Sequence, residues 1–202
     1  MESVSNTEQQ IIAAAKKIFF QRGMSGARMQ DIADEAGINK ALLHYYFRSK
    51  DKLFDMVFED AIGEMFSNIK ASQQQDLPLD QKIAVLVNSY INVISKNPYL
   101  PQFILHEVNQ QPERMVKRMT GGPNFPEIKS FFKDIQAGAK KGFIRKVDPL
   151  QLVISVLSMC IFPFVARPMI QGIFEMDNKQ FNRFIEERRT FIVDFVKAAL
   201  RP

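Results

Sequence analysis

Asp31-Ile32-Ala33-Asp34-Glu35-Ala36-Gly37-Ile38-Asn39-Lys40-Ala41-Leu42-Leu43-His44-Tyr45-Tyr46-Phe47 reads as two short helices joined by a tight turn, with a fresh helix starting at Ser49. Three of its residues stand at the offsets that a helix-turn-helix requires. Ala33 is small, as the crossing of the second helix demands. Gly37 can take the positive φ that turns the chain between the helices. Leu43, six residues on, plugs the second helix back onto the first. Such a unit presents one helix to a groove of DNA. An ordinary corner between two helices of a helical protein would use the same spacing.

Outward from that stretch the chain shows apolar stripes at the helical period and no sustained alternation of the strand kind. Thr7-Glu8-Gln9-Gln10 forms a capping box for a first helix with the stripe Ile11, Ala15, Ile18 and Phe19, which Gly23 should end. A second helix covers about Met29 to Ala36. Asn39 caps a third running to about Phe47, and Ser49 caps a long fourth reaching about Ser72. A fifth carries Ile83, Leu86, Val87, Tyr90, Ile91 and Ile94 and stops before Pro98. A short sixth follows through about Val108, Pro112 begins a further turn, and Gly121-Gly122-Pro123 is a break. Ile128, Phe131, Phe132, Ile135 and Ala139 mark the next helix. Asp148-Pro149 opens an apolar helix that Pro163 and Pro168 should kink or interrupt. The last helix places Phe181, Phe184, Ile185, Arg188, Phe191, Ile192, Phe195 and Val196 on one stripe.

At 202 residues, the chain has room for a small domain joined to a larger one. Hydrophobic and charged contents of 46% and 24% are ordinary globular values and argue against disorder. The net charge of +5 permits a nucleic-acid partner, but the basic residues up to Phe54 are largely offset by Glu2, Glu8, Asp31, Asp34, Glu35 and Asp51. Geometry rather than charge therefore carries the argument for DNA. The single cysteine, Cys160, excludes an intrachain disulfide and fits a reducing compartment; within its apolar run it reads as a buried, inert thiol. Met1 to Asn6 is polar and lacks the apolar core of a signal peptide. Leu150 to Ala166 is too short and too interrupted to span a membrane, which takes ~20 apolar residues. A cytoplasmic location is expected. Two well-separated histidines, no Gly-rich phosphate loop and no metal-ligand pair at helical spacing leave no enzymatic site, no metal and no cofactor to assign.

From Ile11 to Phe54 the chain resembles the DNA-binding domain of the tetracycline-repressor (TetR) family. The matching pieces are Ile12-Ala13-Ala14-Ala15-Lys16-Lys17-Ile18-Phe19, Gly23, Asp31-Ile32-Ala33, Ala36-Gly37-Ile38-Asn39-Lys40 and Tyr46-Phe47-Arg48-Ser49-Lys50-Asp51-Lys52-Leu53. The resemblance implies an all-α homodimer. A three-helix DNA-binding domain (residues 1–54) would bind operator DNA, and a larger helical domain (55–202) would bind a small effector and carry the dimer contact.

With Leu43 and Phe47 facing inward, the outward positions of the third helix are Asn39, Lys40, Ala41, Leu42, His44 and Tyr45. Lys40 can reach a phosphate or a guanine edge, Ala41 can approach a thymine methyl, and Tyr45 can give its hydroxyl to a phosphate. Lys50, in the first turn of the fourth helix, sits beside backbone N–H donors suited to phosphate. The resemblance adds Gln30, where some relatives read a base, and points to two departures. Arg28 and Met29 stand where relatives commonly carry small hydroxyl residues, so Arg28 could supply a phosphate contact by charge while the cap of the second helix is left without an owner. His44 stands where tyrosine is frequent; packing and DNA contact are equally open to it.

An effector pocket would draw on Phe66, Tyr90, Phe103, His106, Glu107, Phe131, Met159 and Phe162, each of which could equally be core. Glu107 lies at the edge of the stripe Leu100, Phe103, Ile104, Val108, either as an anchor for a cationic or hydroxyl-bearing ligand or as a hydrated edge residue. With 18 phenylalanines and 10 methionines in the chain, such a pocket would be apolar and adaptable. The helices around 150–166 and 178–199 carry more apolar surface than a lone edge should expose. Packing against a second copy would bury it, unless one of the two is simply central. The sequence thus describes a DNA-binding regulator, a repressor released by a small apolar or amphipathic effector. A DNA-binding dimer without an effector and a helical protein-interaction adaptor are the alternatives.

Overall fold

A computed structural model describes residues 6–202; Met1 to Ser5, most of the polar leading stretch, lie outside the described residues. The described chain is helical and, among those residues, holds no strand. The helices are α1 (Asn6–Gly26), α2 (Met29–Glu35), α3 (Lys40–Tyr46), α4 (Lys50–Gln74), α5 (Leu79–Lys96), α6 (Leu100–Gln110), α7 (Pro112–Gly121), α8 (Ile128–Lys140), α9 (Pro149–Val165), α10 (Arg167–Ile173) and α11 (Asn178–Ala199).

Local chemistry accounts for four of the helix starts. The Asn39 side chain accepts the Leu42 N–H at 2.8 Å to start α3, and Ser49 Oγ accepts the Lys52 N–H at 3.2 Å to start α4. Asp148 caps α9 by accepting from Gln151, with Pro149 at the first helical position. Asp177 and Gln180 form a reciprocal capping box for α11. Arg28 precedes α2 with no side-chain cap, so the departure seen in the sequence is a real loss of that bond.

The boundaries of α1 and α9 differ from the sequence reading. Thr7 is already helical, and Gly23 does not end α1. It kinks the helix, at φ 68° and ψ 175°, and the helix runs on to Gly26. In α9, Pro163 lies inside the helix; the chain turns only after Val165, bending by 71° into α10, which carries Pro168 near its start.

The continuity through Pro163 has a specific cause. Proline lacks the N–H that would bond the carbonyl four residues back, which is that of Met159. Arg188 of α11 replaces it, donating Nη2 at 2.9 Å and Nε at 3.3 Å to the Met159 oxygen. Arg188→Met should therefore cost about 1–3 kcal/mol, the usual penalty for an orphaned carbonyl. The loss should shrink in a Pro163→Ala background, where the helix can supply its own N–H. Chemical denaturation of the four proteins in that cycle measures the coupling.

Packing groups the chain differently from the functional boundary read at Phe54. One compact unit comprises residues through Gly63 together with Tyr99–Pro123; the other comprises Glu64–Pro98 with Asn124–Pro202. In the first, α1 packs on α2 and α6, α2 on α3, and α6 on α7. Its interior includes Ile11, Ala15, Phe19, Ile32, Ala33, Leu43, Leu53 and Phe54. Phe19 meets Phe54 edge-on at 5.1 Å, and Phe103 of α6 tilts against Phe54 at 5.4 Å. In the second, α5, α9 and α11 pack on one another, and α8 lies on α5 and α9. Val87, Ile91, Val156, Cys160, Phe181, Ile185 and Ile192 form its interior.

Burial pushes the Cys160 thiol up to about 12 from 9.0, against the opposing pull of Arg188. Folded protein should consequently resist alkylation by iodoacetamide at pH 8 and react quickly once unfolded in guanidinium, because the thiolate is the nucleophile. The same shift bears on stability. The unfolded thiol ionises above 9 while the folded one keeps its proton, so this contribution is complete below pH 9 and is lost as pH rises towards 12. Among the described residues no single helix is long and apolar enough to cross a membrane.

Candidate nucleic-acid interface

The first unit carries the helix-turn-helix as the sequence spacing requires. Gly37 has φ 66°, and the Gly37 and Ile38 N–H groups donate to Asp34 and Ala33 at 3.1 and 3.0 Å to close the turn. Ala33 and Leu43 are fully buried at the helix crossing. With Leu43 and Phe47 inward, the opposite side of α3 faces solvent. Asn39, Lys40, Ala41, Leu42, His44 and Tyr45 are all exposed, and Tyr45 keeps 79% of its surface. His44 is thus not packed against a neighbouring helix. Arg28 and Gln30, flanking the start of α2, are exposed as well.

Three of the candidate residues have structural duties. Asn39 caps α3 through its side-chain oxygen. Gln30 donates to Asp34 Oδ1 at 2.7 Å, one turn along α2. Lys50 is half-buried and gives one of its three donors to the Ala27 carbonyl at 3.0 Å, tying the start of α4 to the end of α1. Two further cations, Arg48 and Lys52, are exposed around the start of α4. In the sequence they stood beside a helix N-terminus and within the stretch that carries the family resemblance.

The residues read as an effector pocket divide between the units. Phe103, His106 and Glu107 belong to the first, and Phe66, Tyr90, Phe131, Met159 and Phe162 to the second. Glu107 is not a hydrated edge residue. It is 7% exposed, and its Oε1 accepts the Met24 N–H at 2.7 Å beside the Gly23 kink. His106, itself exposed, brings its ring against Gly23.

In the second unit Phe66 is buried edge-on to Phe125 at 5.4 Å, and Phe131 is buried. Tyr90 and Met159 are half-buried. Burial, followed by the neighbouring Cys160, pushes the Tyr90 hydroxyl up to about 12. Phe162 is exposed on α9 in register with Leu150 and Ile154, also exposed. On α11 Phe191 and Phe195 are exposed and stacked at 6.0 Å, with the Arg188 guanidinium 5.9 Å from the Phe191 ring. These two helices therefore leave an apolar surface open to solvent.

Residues 11–57 match the tetR family of bacterial regulatory proteins, and residues 80–196 match a tetracyclin repressor-like C-terminal domain. The chain is 23% identical over 202 residues to the HTH-type transcriptional regulator RutR of Escherichia coli K12, covering 96% of this chain and 92% of RutR. It is 26% identical over 208 aligned positions to the HTH-type transcriptional repressor NicS of Pseudomonas putida, covering 99% and 95%. The crystal structure of HlyIIR, a hemolysin II transcriptional regulator, superposes with a TM-score of 0.66 at 23% identity over 99% of both chains, a likeness of fold.

Proposed function

Because the chain belongs to the tetracycline-repressor family of DNA-binding transcriptional regulators, we propose that it is a cytoplasmic repressor that binds an inverted-repeat operator as a homodimer and is released by a small apolar or amphipathic effector. The observation that carries this reading is the solvent-facing side of α3, with Lys40, Ala41, His44 and Tyr45 all exposed while Leu43 and Phe47 hold the helix from behind. In this proposal residues 1–54 meet the DNA, and the chain beyond them holds effector and partner. Lys40, Ala41, His44 and Tyr45 enter the major groove. Arg28, Lys50 and the start of α4 contact phosphates, and Gln30 and Asn39 contribute at the rim while keeping their intramolecular bonds.

Two copies pair through α9 and α11, whose open apolar surface is otherwise costly, and set their α3 helices ~34 Å apart or a multiple of a turn. An effector among Phe66, Tyr90, Phe131 and Met159 would shift the balance of two conformers only by its differential affinity for them. Phe103, His106 and Glu107 belong to the first unit and take no part in that pocket, the Glu107 carboxylate being engaged by the Met24 N–H.

Selection from a randomised duplex library, followed by footprinting, tests the reading. An inverted repeat protected on one face of the DNA is the expected result, with affinity falling steeply as salt rises. Protection of a single asymmetric half-site would count against the dimer. Gln30→Ala should change base preference, whereas Lys50→Ala should weaken all sequences alike. Lys50→Ala should also lower thermal stability slightly, because the Ala27 carbonyl loses its donor.

A further inference from the structure

Packing places α6 and α7 in the same unit as the helix-turn-helix. From α7, two arginines reach the opening turns of α4. Arg118 donates Nη2 to Asp51 at 2.9 Å and Nε to Asp55 at 2.5 Å, and Arg114 pairs with Asp51 as well. The Arg118 guanidinium also lies 4.6 Å from the centre of the Phe54 ring. Its side chain is 14% exposed, whereas those of Asp51 and Asp55 are 51% and 55% exposed. The spacing is matched on both sides. Asp51 and Asp55 stand one turn apart on α4, and Arg114 and Arg118 stand one turn apart on α7, so the two pairs align along a helical turn.

Asp51 stands between Lys50 and Lys52 in the first turn of α4 and shortly after Arg48. On the DNA-binding reading, on which this inference rests, that end of α4 faces phosphates. A carboxylate there repels them and cancels the field of the adjacent lysines, over distances that water and salt only partly screen.

We infer that Arg118, assisted by Arg114, is a positioning residue for DNA binding: it neutralises Asp51 and Asp55 at the phosphate-facing end of α4 without touching DNA itself. Helix α7 is then an electrostatic part of the DNA-binding unit. Asp51 can sit favourably beside the N–H groups of the α4 N-terminus without opposing the phosphate that those groups attract.

The experiment uses the full chain and a random-sequence DNA duplex, with binding followed by fluorescence anisotropy at stepped KCl concentrations. Arg118→Met keeps the apolar stem and removes the charge. It should bind about tenfold more weakly at low salt, with the deficit narrowing as rising salt screens the bared acids. Adding Asp51→Asn to Arg118→Met should recover most of the loss, because the acid that needed neutralising is gone. A mere latch between α7 and α4 would not be repaired by removing its second partner, so no recovery in the double variant overturns the inference. Should Arg118→Met fail to fold by circular dichroism, Arg118→Lys provides the second measurement. It keeps the charge but not the two-pronged geometry, and should retain the wild-type salt slope; a reduced slope overturns the inference. A wild-type chain that bound no duplex at all would count against the DNA-binding reading itself. Wild-type binding without recovery in the double variant removes only the role given to Arg118.

Discussion

Replacing Phe191 and Phe195 together with Asp should break the proposed α9–α11 pairing, leaving a soluble helical monomer, and lower operator affinity by about a hundredfold or more, the usual worth of linking two binding modules. The two rings are 56% and 54% exposed and stack on one another at 6.0 Å, so they are not needed to fill the core of their own unit. The residues of α11 that do fill it are Phe181, Ile185, Ile192 and Val196, whose side of the helix Phe191 and Phe195 flank. Each exposed ring offers apolar area worth ~25 cal/mol per Å² when covered by a partner. A twofold interface is self-complementary, so every substitution acts twice. Four carboxylates would then be forced into an apolar contact. Sedimentation velocity reads the oligomeric state and circular dichroism the fold. A folded double variant that still sediments as a dimer would place the interface on another surface.

Gly23→Ala should be the most damaging single methyl added to the DNA-binding unit. Gly23 holds φ 68° and ψ 175°, a region open essentially to glycine alone, where other residues carry about 1–3 kcal/mol of strain. Sterics add to the strain. A Cβ there would lie 2.8 Å from His106 Cδ2 and 3.0 Å from Glu107 Oε1, and the glutamate cannot withdraw without giving up the Met24 N–H. That N–H is displaced from the regular ladder by the kink, and a buried amide left unpaired costs about 1–3 kcal/mol in its own right. Together these should lower the melting temperature by roughly 10 °C for a chain of this size. Gly26→Ala is the control. Its nearest neighbour, Arg22 Cβ, is 3.4 Å from the added methyl and its φ is not positive, so the change should be nearly neutral. Equal melting temperatures for the two variants would show that the kink at Gly23 is not a constraint on folding.

These two expectations draw on different kinds of information. The stripe containing Phe191 and Phe195 is visible in the sequence, because an amphipathic helix records its buried face as a period of 3.6 residues. The same is true of the helix-turn-helix. Ala33, Gly37 and Leu43 act within a span of eleven residues, where helical geometry converts sequence offsets directly into directions in space. Asn39, Ser49 and Asp148 were legible as caps for the same reason: a cap reaches only three residues. The outward side of α3, with His44 and Tyr45 in solvent, follows from the inward position of Leu43 and Phe47.

What bonds across large separations in sequence was decided by tertiary structure alone. Glu107 looked like an edge residue because its partner, the Met24 N–H, is 83 residues away and becomes available only when α1 kinks at Gly23. Pro163 looked like a break because the donor that compensates it, Arg188, belongs to another helix, 29 residues beyond the carbonyl it serves. Asp51 counted in the sequence only as an acid offsetting the basic residues, until α7 brought Arg118 to it from 67 residues away. In each case the sequence determined which groups could bond and how they were spaced along their own helices. Only the packing of one helix on another determined which of them met, because the energy of a buried hydrogen bond or ion pair depends on a partner whose distance the local periodicity does not encode.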